Sequence, residues 1–450
     1  MKNPLWRKLL MIAGLTLLLC IPLRMTGVAV WERSAARESV KADIANSMAG
    51  AQRLAGPVLV LPYRQMVTRE VKDGDGKMAL KTFWEWRTHV WLPDTLNIDS
   101  GVVNTPRYRG IYKAQLYQNS LKINAAFNTA RNAAPAGDGV EWGQPYLALG
   151  VSDVRGISEM PRGKMNDKAL TFAADTGLPL LESGVHAPVS IGPDGHFEAS
   201  IGLDLKGMER IDFLPVGRDT LVAMHSNWPH PSFQGRYLPD SQDINKDGFH
   251  ARWRTTFLAT NIEKQFADCL SNSGSCSTLM LNSMGVRLID PVDVYLQSER
   301  GLKYGFLFVI MAFGAFFLYE LLKGLKIHPV QYSLVGFSLT LFFLLLVALA
   351  EHVVFAMAYA IAAAGCTALL WFYVSYVLRS VLRGMGFAGL IALMFGALYG
   401  LLQSEDYALL MGALLLFGML ALIMILTRHL DWFALGEAAG PAPVKENSQA

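Results

Sequence analysis

The residues best suited to chemistry crowd into one stretch, HSNWPHPSFQGRY, from His225 to Tyr237, with His250 a short way on. Neutral imidazoles are good zinc ligands, so three neighbouring histidines raise the question of a metal. Zinc sites recur as tight pairs on one element, and this stretch holds neither an HxxxH pair nor an HExxH helix. Trp228, Pro229 and Pro231 read instead as a rigid extended turn, because each proline also restricts the residue before it. The stretch is expected to pack or to touch a partner, with Trp228, His230 and Phe233 as the contact residues. No catalytic, cofactor-binding or metal-binding residue is assigned.

A second candidate is DINKDG, in which Asp243, Asn245, Asp247 and Gly248 match the first half of a calcium loop. The bidentate glutamate that should close such a loop is replaced by Arg254, and a strand rather than a helix is expected to follow. A solvated Asp/Asn turn fits better, and calcium stays an open question. Asp73 and Asp75 make a weaker case of the same kind. Nucleophilic catalysis has no GxSxG elbow, and nucleotide use has neither a GxxxxGKS/T loop nor a strand-borne GxGxxG. An enzyme is therefore not expected, and no cofactor.

The cysteines divide by surroundings. Cys20 and Cys366 lie in apolar runs, where a thiol behaves as a small apolar residue. Cys269 and Cys276 flank a Ser/Asn/Gly stretch that can bend, and two readings stand: a local disulfide in an oxidising compartment, or two thiols in a flexible loop.

The elements that carry these residues follow from hydropathy. A helix needs about 20 mostly apolar residues to cross a bilayer. Leu9–Val30, Leu302–Leu322, Val330–Ala350, Val353–Val377, Gly384–Leu402 and Tyr407–Thr427 qualify, so six spans are expected, one N-terminal and five C-terminal. Apolar residues make up 52% of the chain and charged residues 17%, against about 25% charged in soluble domains. The first run could be a signal peptide, but its length exceeds the usual apolar core of one and no small-x-small site follows at once. It is read as a retained anchor.

Basic residues fix the orientation. Lys2, Arg7 and Lys8 precede the first span, Lys323 and Lys326 follow the second, Arg379 and Arg383 the fourth, and Arg428 the sixth. Lys and Arg gather on the cytoplasmic side. Both termini are thus expected in the cytoplasm, with the large middle domain outside it. Arg24 and Glu320 lie near span ends, where long side chains can reach an interface, and no paired broken helices mark a transport path.

Between the first and second spans the pattern changes twice. Residues 31–55 continue with helix formers and read as a helical stalk. From 56 to 301 short runs of Val, Ile, Thr and aromatics alternate with Gly, Pro, Asp and Asn, the mark of a mainly antiparallel, sandwich-like β domain. VLVLPYRQMVTREV and LKTFWEWRTHVWL form an expected hairpin across DGDG at Asp73–Gly76. Further expected strands are Gly110–Gln118, Leu121–Phe127, Tyr146–Val151, His196–Leu205, Thr220–His225 and Phe249–Leu258. About 250 residues is large for one sandwich, so two subdomains divided at Ala133–Gly139 are allowed for. Residues 302–427 form the five-helix bundle, and 428–450 a polar cytoplasmic tail expected to be disordered. A net charge of +3 is too small to suggest nucleic acid.

Several strings resemble the CreD family of inner membrane proteins: SNWPHPSFQGRYLP (Ser226–Pro239), GFHARWRTTFLATN (Gly248–Asn261), VSDVRGI (Val151–Ile157), the segment Phe316–His352 that holds HPVQYSLVG, and TRHLDW (Thr427–Trp432). The resemblance runs from residue 1 to about residue 435 and implies the same membrane layout. It also implies a cell-envelope integrity role under a two-component regulon, linked with colicin tolerance and β-lactam responses. It brings no catalytic residue or cofactor. The resulting expectation is a non-enzymatic envelope protein whose partners are the lipid bilayer and an envelope component or protein met by the periplasmic domain. The alternatives are a transporter or lipid-handling protein and a metal-dependent periplasmic enzyme. Oligomeric state leaves no mark in the sequence.

Overall fold

A computed structural model describes residues 4–72, 78–178, 180–181, 183–192, 194–271, 276–290, 294–323, 327–403 and 408–428. The chain divides into two compact units, one of Met1–Ala36 with Val292–Ala450 and one of Arg37–Pro291. Helix α1 (Pro4–Ser47) opens the chain with 44 residues, about 66 Å of helix at 1.5 Å per residue. Its apolar first half belongs to the helical unit. Beyond Ala36 it belongs to the β unit, where Lys41 pairs with Glu209 at 2.7 Å and Arg155 donates to the Asn46 carbonyl.

The β unit holds seventeen strands among the described residues. In chain order they are β1 (Gln52–Lys72), β2 (Met78–Trp91), β3 (Thr95–Arg109), β4 (Tyr112–Asn128), β5 (Val140–Trp142), β6 (Tyr146–Val151), β7 (Arg162–Met165), β8 (Lys168–Leu170), β9 (Ala173–Ala174), β10 (Gly184–Pro188), β11 (His196–Met208), β12 (Arg210–Leu214), β13 (Asp219–Ser226), β14 (Pro231–Gly235), β15 (Ser241–Asn245), β16 (Gly248–Thr256) and β17 (Met284–Leu288). Short helices α2 (Phe257–Thr260), α3 (Ile262–Ser271) and α4 (Cys276–Leu281) precede the last strand. A nine-stranded sheet runs β14-β17-β12-β1-β6-β10-β9, with β2 and β5 also paired to β1. An eight-stranded sheet runs β15-β16-β13-β3-β4-β11-β7-β8. Among the described residues only β1 with β12 and β3 with β13 pair in parallel. The expected antiparallel class is what the chain adopts.

Period-two burial explains the eight-stranded sheet. Leu96, Ile98 and Val102 of β3, Leu121, Ile123 and Phe127 of β4, Ile201, Leu203 and Leu205 of β11, and Phe249 and Trp253 of β16 are all buried, while their neighbours face water. In the other sheet Leu54 to Leu61 of β1 is buried at every position, the pattern of a strand covered on both faces. Both sheets contribute to one apolar cluster, joined by Ile262, Phe266 and Cys269 of α3. That cluster draws residues from both sides of Ala133–Gly139, so this stretch is a loop within one unit and not a division between two. The β1–β2 ribbon pairs Lys72 with Met78 at its far end; the intervening DGDG lies outside the described residues, as do Asp73 and Asp75. Along that ribbon Met66, Leu80, Trp84 and Trp86 are exposed on one face, with the Arg64 guanidinium 4.7 Å from the Trp84 ring centroid.

The helical unit continues with α5 (Val294–Lys323), α6 (Pro329–Ala350), α7 (Phe355–Val377), α8 (Val381–Gln403) and α9 (Ala408–Thr427). Helices α1 and α5 to α8 are long and apolar enough to cross a membrane. The apolar stretch of α9 among the described residues, Leu410–Ile425, is shorter; the expected sixth span starts at Tyr407, outside them, and the expected tail 428–450 lies outside them from residue 429 on. The HPVQ string starts α6: His328 Nδ1 accepts from the Val330 amide at 3.3 Å, and Gln331 Oε1 accepts from the His328 amide at 3.0 Å. Pro329 stands at the first turn, where its missing N–H costs nothing. Gly336 then brings α6 close to Leu19 and Phe313, against which a Cβ would clash.

Candidate functional site

The WPHPSF string is the corner at which the chain leaves one sheet for the other. β13 ends at Ser226 in the eight-stranded sheet, and β14 begins at Pro231 on the edge of the nine-stranded one. The two prolines hold the crossing extended. Asn227 Oδ1 accepts from the Asn104 amide at 2.8 Å, which ties the corner to β3. Trp228 is half-buried; its amide donates to Ser226 Oγ at 3.2 Å and its Nε1 donates to the Ile289 carbonyl at 2.9 Å. The His230 ring stands edge-on to it at 5.8 Å, and Lys113 Nζ lies 5.5 Å from its centroid. Lys113 in turn pairs with Asp290 at 2.9 Å.

Phe233 points the other way. It lies half-buried, 5.7 Å from each of the Phe249 and Trp253 rings in edge-to-face contact, a favoured geometry for aromatic pairs. Of the three expected contact residues, His230 is exposed, Trp228 is partly so, and Phe233 is packed against the core. Tyr237 closes the motif with its hydroxyl 3.4 Å from the Ala259 carbonyl, and burial pushes its phenol pKa up.

His225 and His250 are not with His230. They face solvent on adjacent strands of the eight-stranded sheet, paired in register, with rings stacked 6.0 Å apart. The row extends to Gly101 on β3 and Asp243 on β15. Asp99, His225, Asp243, His250 and Arg252 line an open hollow of about 370 Å³. A second hollow of about 530 Å³, lined by Asn97, Asn124, Lys164 and Glu198, lies on the same polar sheet. Among the described residues no group of three or more His, Cys, Asp or Glu is placed to hold a metal ion. DINKDG forms the β15–β16 hairpin, with Asn245 opposite Gly248 and the Asp247 amide donating to Asn245 Oδ1 at 2.9 Å. A strand, not a helix, follows it. Asp243 thus lies on β15 and Asp247 in the tight turn itself, whose Asn245 oxygen is already engaged.

Cys269 and Cys276 are joined as a disulfide, which decides between the two readings. Cys20 and Cys366 are free thiols in the helical unit.

Glu320 was expected to reach for an interface and instead is enclosed, only 4% exposed. Lys8 of α1 is ion-paired with it, the Ile327 amide donates to its Oε1 at 2.9 Å, and the Tyr332 hydroxyl donates to its Oε2 at 2.8 Å. Hydropathy could not reveal this, because the partners come from three separate segments. In the same way β3, rich in Asn, Asp, Ser, Gly and Pro, hid its strand character and with it the Gly101–His225–His250–Asp243 row; only its Leu96–Ile98–Val102 alternation would have disclosed it.

The whole chain, and not only these strings, has known relatives. It matches the family described as Inner membrane protein CreD over residues 4–433. It is 33% identical over 441 residues to Inner membrane protein CreD of Escherichia coli (strain K12), covering 96% of this chain and 95% of that one. With five helices of membrane-spanning length among the described residues, the chain is a multi-pass membrane protein and belongs to the inner membrane protein CreD family.

Proposed function

We propose that the protein serves cell-envelope integrity in the inner membrane without catalysing a reaction, its β unit binding an envelope component or protein partner on the periplasmic side. The observation that carries this reading is the Trp228 corner. A large amphipathic ring is fixed there by its Nε1 hydrogen bond to the Ile289 carbonyl, its backbone amide is tied to Ser226 Oγ, and His230 and Lys113 flank it. Aromatic anchors held in place before binding lose little entropy on contact, and such residues dominate interface energetics. Phe233, behind the corner, holds it to the core. Basic residues at Lys8, Lys323, Arg379, Arg383 and Arg428 support a cytoplasmic placement for both termini, and the resemblance supports the envelope role.

The test is complementation of a strain that lacks the gene. The chain carrying Trp228→Ala and His230→Ala together, produced at wild-type abundance, should leave the strain as sensitive to envelope stress as the deletion. Full rescue would refute the corner as the working surface.

A further inference from the structure

The β1–β2 ribbon ends in a long free edge. β2 pairs with β1 over fourteen uninterrupted positions, and among the described residues its other edge pairs with no strand. β5 leaves β1 at Gln65, so from Met66 outward the ribbon is two strands alone. Such a ribbon is marginal in water, and native sheets blunt a long edge with proline, a bulge or brevity. β2 has none of these in its 14 residues. Its register with β1 puts Met66, Met78, Leu80, Trp84 and Trp86 on one face, each at least 43% exposed, and Phe83 on the other, also exposed.

The order of residues along this free edge selects the strand that fits it. Two antiparallel β2 strands related by a two-fold axis keep their apolar faces on one side only when one residue lies opposite itself, because side chains alternate with a period of two. With Phe83 at that position, Lys81 of each copy meets Glu85 of the other, Leu80 meets Trp86, and Thr82 meets Trp84. Both charges are matched twice, and each exposed tryptophan gains a neighbour. Centring on Trp84 would set Lys81 against Arg87, centring on Glu85 would oppose the two carboxylates, and centring on Thr82 would match neither charge. Centring on Trp86 would pair Glu85 with Arg87 but would bring Phe83 and Lys81 against His89 and Trp91, whose rings are both held at the Asn132 carbonyl. We infer that β2 pairs with β2 of a second copy, antiparallel about Phe83, joining the two ribbons into one four-stranded sheet. Opposite charges across a strand pair favour a register and like charges oppose it. An unrelated extended segment could use the same backbone groups, but the Lys81–Glu85 match is a property of β2 with itself.

The test uses the full chain in native membranes, with cysteines placed by register. Directly opposed residues of an antiparallel pair have Cα atoms about 4.5–5.5 Å apart, within disulfide reach. Phe83→Cys should therefore yield a disulfide-linked dimer under mild oxidant, and Leu80→Cys should yield one only when produced together with Trp86→Cys. All three side chains are exposed, so these changes leave the packed core untouched. In the chain with its native cysteines, Lys81→Glu should raise the dimer dissociation constant in detergent at least about tenfold, since two matched pairs become two like-charge pairs. No dimer from position 83, linkage from position 80 alone as strong as from 83, or an association indifferent to Lys81→Glu would overturn the inference. So would linkage of position 83 to a different protein with no dimer formed, which would assign the edge to another protein's strand.

Discussion

His225 on β13 and His250 on β16 occupy directly opposed positions, their rings stacked at 6.0 Å with 23° between planes. Imidazole binds a metal in the plane of its ring, so two near-parallel rings at this spacing do not aim their nitrogens at one ion. Elemental analysis of the purified chain should find less than one equivalent of zinc. A full equivalent that survives chelation and is lost on His225→Ala would restore the metal-dependent reading.

The two faces of the WPHPSF corner should separate experimentally. Phe233→Ala empties a position packed on Phe249 and Trp253 and should destabilise the β unit by about 3 kcal/mol. Trp228→Ala with His230→Ala should change the melting temperature far less. Thermal unfolding of the three variants checks this, and equal losses would make the whole motif a structural corner.

The Cys269–Cys276 bridge closes a short segment, seven positions apart. Constraining so small a loop contributes about 2 kcal/mol. Replacing both cysteines by alanine should lower unfolding stability by that amount, and reductant should do the same to the wild type and nothing to the variant.

Glu320 satisfies Lys8, Tyr332 and the Ile327 amide at once. Glu320→Ala leaves those groups without their acceptor and should cost about 3 kcal/mol in detergent unfolding, whereas Lys8→Met combined with Glu320→Met should recover much of it. Stability restored by the double change with function intact would mark the pair as structural. Function lost despite restored stability would favour the transport reading.

His89 gives the β unit a pH dependence. Its Nε2 lies 3.2 Å from the Asn132 carbonyl and its ring 4.6 Å from Trp91, and burial pushes its pKa below the usual histidine value. The unfolded chain therefore takes up the proton first as pH falls below about 6.5, so stability should decline from there toward the lower folded-state pKa. Melting temperatures measured across that window should fall with pH, and His89→Gln should flatten the slope.

Much of this architecture was legible because hydropathy and alternation act locally. The apolar runs announced the membrane helices, and alternation marked β6, β11, β13 and β16 close to their observed limits. What was hidden depends on distant pairing. β3 reads as loop because turn-forming residues occupy its solvent face, and the α5 helix begins before its apolar run because Val294–Gly301 is polar yet helical. The partners of Trp228, namely Lys113 and Ile289, are far from it in sequence, so the motif could be recognised as a rigid turn but not as a clustered surface.

The most direct test places a photoreactive amino acid at position 230 of the full chain in intact cells and illuminates them. A discrete adduct formed from the periplasmic side, and lost when Trp228→Ala is also present, is the predicted result. No adduct, or one unchanged by Trp228→Ala and equally obtained from position 80 on the β1–β2 ribbon, would contradict the claim that the Trp228 corner is where the β unit meets its partner.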